Sequence, residues 1–66
     1  METYIFYMHF LLVNPNGTME DINVPIEEKA GNYEMARARV LEKAQSVVRA
    51  YEEDEVTAFF RIEHNL

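Results

Sequence analysis

Sixty-six residues without a cysteine make one domain, residues 1–66, that no disulfide or thiolate-bound zinc can staple, so its small core needs dense packing or association. With 48% hydrophobic and 27% charged residues, the composition is that of a folded chain and not a disordered one. A formal net charge of -6 repels phosphate backbones and anionic membranes, which excludes sequence-general nucleic-acid binding and favours basic partners.

The chain opens with an acid, in Met1-Glu2-Thr3, where a signal peptide carries lysine or arginine. The apolar run "YIFYMHFLLV", Tyr4 to Val13, is far shorter than the ~20 residues of a membrane-spanning helix. It reads as a strand, and the chain as a cytoplasmic protein with no membrane contact.

"NPNG" after Val13 is a turn: proline presets φ, Asn16 suits the third position and Gly17 accepts a left-handed backbone. Read as a three-residue loop closed by a glycine bulge, it sets Phe10 opposite Ile22, Met8 opposite Val24 and Phe6 opposite Ile26. A two- or four-residue loop would instead bring Tyr7 and His9 over these residues. The second strand is expected from Thr18 to Ile26, with Lys29-Ala30-Gly31 as a flexible joint after it.

Asn32 is the expected N-cap of a helix over Tyr33 to Glu52, in which Tyr33, Ala36, Val40, Ala44, Val47 and Tyr51 recur at helical spacing. Arg39, Glu42, Lys43 and Arg49 then lie mainly on the wet side. The helix runs into Glu52, Glu53, Asp54 and Glu55, the wrong sign for a helix C-terminus. "VTAFFRIEH" alternates again, with Val56, Ala58, Phe60 and Ile62 on one face and Thr57, Phe59, Arg61 and Glu63 on the other.

The predicted fold is α+β, in the order β-β-α-β. A three-stranded antiparallel sheet of order 2-1-3 carries one helix on its even-numbered face, reached by a right-handed crossover. The other face has no helix to cover it. Ile5, Tyr7, His9, Leu11, Val13 and Phe59 therefore form a candidate interface, expected to be buried against a second copy in a homodimer or against another protein.

No catalytic or metal-binding residue is assigned. His9 and His64 have no carboxylate in helical or metal-ligand spacing, Ser46 has no adjacent base, and two glycines leave no phosphate-cradling loop. No cofactor is expected and an enzyme is the least favoured class. Glu52, Glu53, Asp54 and Glu55 form an acidic patch that reads as a solvated face or, more sharply, as a nucleic-acid mimic offered to a basic groove. A structural or regulatory subunit of a hetero-complex is a further alternative.

The layout resembles small phage- or prophage-encoded accessory proteins, among them anti-CRISPRs and other host-factor inhibitors: a short acidic chain with a hairpin at "NPNG", a helix containing "NYEMARARVLEKAQSVV" and a closing strand. That resemblance implies a partner protein in a host cell. It rests on size, charge and element order, and it carries over no site residue.

Overall fold

A computed structural model describes residues 1–64. Its elements are β1 (Glu2–Val13), β2 (Met19–Ala30), α1 (Tyr33–Glu53) and β3 (Thr57–His64), with β1 central in an antiparallel sheet of order β2-β1-β3. The β-β-α-β arrangement and strand order are those expected from the alternation. Among the described residues, no helix is long and apolar enough to cross a membrane.

The hairpin fixes the register. Asn14 N–H donates to the Thr18 carbonyl and Gly17 N–H to that of Asn14, at 2.8 and 2.9 Å, while Gly17 takes φ +88°. Three residues thus form the loop, and Phe10 faces Ile22, Met8 faces Val24 and Phe6 faces Ile26. On the other side of β1, Phe10 faces Phe60 and Met8 faces Ile62. The even-numbered side chains of all three strands therefore share one face.

That face is the core. Phe6, Met8, Phe10 and Leu12 of β1 are buried against Ala36, Val40 and Ala44 of α1. Two alanines flanking one valine at four-residue intervals let the helix axis come close to the bulky β1 side chains. Asn32 caps the helix as expected, its Oδ1 accepting from Met35 N–H at 2.8 Å.

Several boundaries differ from the sequence reading, most of them by one or two residues. β2 continues through Lys29-Ala30 instead of ending at Ile26, and Ala30 is fully buried, so this segment is no flexible joint. The reason is the partner: β1 already begins at Glu2, which pairs with Ala30, and inward alternation persists through Ile26, Glu28 and Ala30. At the other end, α1 reaches Glu53, one residue further than expected.

The helix ends in a left-handed cap. Val56 N–H bonds to the Tyr51 carbonyl and Glu55 N–H to that of Glu52, both at 3.0 Å, with Glu55 at φ +64°. This is the six-to-one and five-to-two pattern of a Schellman motif. Val56 and Tyr51, at the two positions where this motif places apolar residues, both pack on the core.

Candidate interaction surface

Among the described residues, none forms a layer over the odd-numbered face of the sheet. Leu11 lies directly opposite Phe59, whose side chain is 59% exposed; Ile5 is 41% exposed, and Tyr7, His9 and Val13 are half-buried. β2 adds Met19 opposite Val13 and Pro25 opposite Tyr7. All six residues singled out from the sequence therefore lie on the same face of the sheet.

The face is divided by a polar belt that sequence spacing did not reveal. His9 sits between Asn23 on β2 and Arg61 on β3, and its Nε2 is 3.1 Å from a Glu63 carboxylate oxygen. Its Nδ1 is in hydrogen-bond contact with Asn23 Oδ1. Glu63 stands in neither helical nor metal-ligand spacing from His9: it lies 54 residues away in sequence, and strand register brings it in. Toward the hairpin end of the belt lie Leu11, Val13 and Phe59, toward the far end Ile5 and Tyr7.

Both ring nitrogens of His9 are engaged; on α1, across the sheet from this belt, Ser46 Oγ donates to the Glu42 carbonyl at 3.1 Å. Among the described residues, no three His, Cys, Asp or Glu side chains are grouped to hold a metal ion. His64 points to the opposite face from Glu63, its ring centroid 4.8 Å from that of Tyr33 and 5.1 Å from that of Phe6.

The acidic residues fall into different environments. Glu52, Glu53, Asp54 and Glu55 are all exposed, at the helix end and the turn into β3. Glu27 is exposed as well, but Glu28 is buried beneath α1, where Lys43 Nζ donates to it at 2.6 Å and Arg39 stands 4.0 Å away. Lys43 and Arg39 lie on the wet side as expected, and both reach inward to this one carboxylate.

Glu28 is the structural residue that sequence reading missed. The signal was present: Glu28 continues the inward series Ile22, Val24, Ile26, and two cations one helical turn apart stand ready to meet it. Compared with protein-family models, curated protein sequences and solved structures, the chain matches none.

Proposed function

We propose that this chain is a non-enzymatic protein–protein interaction module that dimerises through the odd-numbered face of its sheet and acts, in the cytoplasm, as an accessory or inhibitory protein on a host factor. The observation that carries the reading is the Leu11–Phe59 pair, flanked by Val13, Tyr7 and Ile5, on a face with no second layer. Apolar patches of this kind on small proteins mark interaction surfaces.

Two features favour a second copy as the occupant. Odd-numbered strand positions hold two cations, Lys29 and Arg61, against three carboxylates, Asp21, Glu27 and Glu63, so identical faces meet with little of the repulsion that a net charge of -6 implies. Strands of 12, 12 and 8 residues offer a face on the order of 600 Å² per copy, or ~1,200 Å² between two, which reaches the lower limit of specific interfaces.

Leu11→Glu tests this. Leu11 is already half-buried in one chain, so its loss from both copies removes about 2 kcal/mol of association, roughly thirtyfold in Kd, before the cost of desolvating a carboxylate. Sedimentation equilibrium should show a wild-type dimer and a folded monomeric variant. A wild-type chain that stays monomeric at high micromolar concentration ends the homodimer reading.

A second reading has one observation in its favour. Four carboxylates occupy the helix end that the dipole makes unfavourable for them, and Glu55 holds a left-handed backbone that glycine adopts more cheaply. An acidic patch that mimics nucleic acid toward a basic groove accounts for both. Salt separates the two: binding by the acidic patch weakens steeply with ionic strength, and stacking of the near-neutral faces does not.

A further inference from the structure

The two edges of the sheet are unequal. Because Asn14 N–H bonds to Thr18 across the hairpin, even-numbered residues of β1 bond toward β2 and odd-numbered ones toward β3. The contact of His64 Nδ1 with the Ile5 carbonyl at 3.3 Å, on the β3 side, fits this alternation. On β2 the groups that point outward belong to odd-numbered residues, among them Pro25, which has no N–H, and charged residues flank it. That edge is blunted against pairing.

On β3 the outward groups are those of Ala58, Phe60 and Ile62, and no proline interrupts them. Beside them, on the helix face, lies an open hollow of about 530 Å³ lined by Tyr33, Ile62, Glu63 and His64. An unblocked edge next to a partly apolar hollow is a template for a strand.

We propose that a second copy of the chain adds its own β3 antiparallel to this edge, about a two-fold axis through Ile62. Ile62 then faces Ile62, Phe60 faces His64 of the second copy, and Arg61 faces Glu63 of the second copy, twice by symmetry. Arg61 and Glu63 meet at a non-hydrogen-bonded position, where opposed side chains come closest. Among the described residues Arg61 has no ion-pair partner within its own chain, and Glu63 has a second carboxylate oxygen beyond the one on His9.

Neighbouring registers fit less well. Moving the axis to Arg61 sets arginine opposite arginine, which is destabilising. Moving it to Phe60 removes the ion pairs and leaves the hollow facing Ala58. With the axis at Ile62, the second copy's Ile62 and Phe60 side chains stand over the hollow. The two helices lie on one side of a six-stranded sheet, about 14 Å apart across three strand spacings, wider than the 8–10 Å of packed helices and so without a clash.

This contact uses backbone groups and one edge, and stands apart from the face stacking proposed above. Should both form with two-fold axes that meet at right angles, four chains combine into a closed assembly.

Amide hydrogen exchange on the unaltered chain reads the edge directly. The Phe60 and Ile62 amides should slow by about tenfold or more as concentration rises, and should stay slow in Leu11→Glu whatever that change does to the mass. Arg61→Glu should abolish the protection and Arg61→Glu/Glu63→Arg restore it. The proposal is overturned if these two amides exchange freely at every concentration while the odd-numbered amides of β3 are protected. It is equally overturned if Leu11→Glu removes the protection, which would then belong to face stacking.

Discussion

Replacing Glu55 with glycine should stabilise the domain, and the amount follows from the cap. At φ +64° an L-residue carries about 1–2 kcal/mol of steric cost that glycine escapes. Glycine loosens the unfolded chain, which takes back about 0.4–1 kcal/mol. Removing a carboxylate from the negative end of α1 returns roughly 0.3 kcal/mol. The net gain is near 1 kcal/mol, equivalent to a rise of about 4–8 °C in Tm for a domain of this size. Thermal unfolding followed by circular dichroism measures it, with Glu55→Ala as the control that removes the charge but keeps the Cβ. Glycine should exceed alanine by most of the gain. If alanine stabilises as much as glycine, the cost lies in the charge and the backbone argument fails.

Lys43→Met should cost about 1–2 kcal/mol in urea unfolding, because it takes the 2.6 Å partner from buried Glu28 and leaves only Arg39 at 4.0 Å. Adding Glu28→Gln to that variant should recover most of the loss, since no buried charge then remains to be paired. Tyr4 donates its phenolic hydrogen to the Glu2 carboxylate, and that bond holds its pKa above the usual 10.0. Whatever stability the neutral phenol adds is present below pH 10 and disappears as pH climbs through the raised folded value; Glu2→Gln should bring the Tyr4 titration, followed by NMR, back toward 10.0.

Much of the fold was legible because a few local signals agreed. "NPNG" allowed one loop form that matched the alternation of both flanking strands, and Asn32 followed by an apolar stripe marked the helix start. The candidate face was legible by the same count: one helix covers one face. What escaped notice depended on partners distant in sequence. Glu27 and Glu28 are adjacent acids in the sequence, and only the pleat separates them, one to solvent and one beneath Lys43. The meeting of His9 with Glu63 follows from the β1–β3 register, which no local motif encodes. The cap at Glu55 was hidden because its usual marker, glycine, is absent there.

The distribution of charge along the strands selects how two faces would stack. Glu20, Asp21 and the run Glu52 to Glu55 gather at the hairpin end, where Val13 pairs with both Met19 and Thr57. Four of the six cations, Lys29, Arg37, Arg39 and Lys43, lie toward the other end, on the tail of β2 and the first half of α1. A two-fold axis along the strands would bring the two acidic ends together; an axis across them sets each acidic end over the other copy's balanced end. The second arrangement also lays the Leu11 and Val13 end of β1 over the Ile5 and Tyr7 end of the other copy, with the polar belt near the middle of the stack. Spin labels at Glu20→Cys distinguish the two: about 30 Å apart for the antiparallel stack and about 15 Å for the parallel one, from strand rise and sheet spacing. A distance near 15 Å would mean that apolar contacts override the end-to-end charge, and that the acidic turn is neutralised by something other than the second copy.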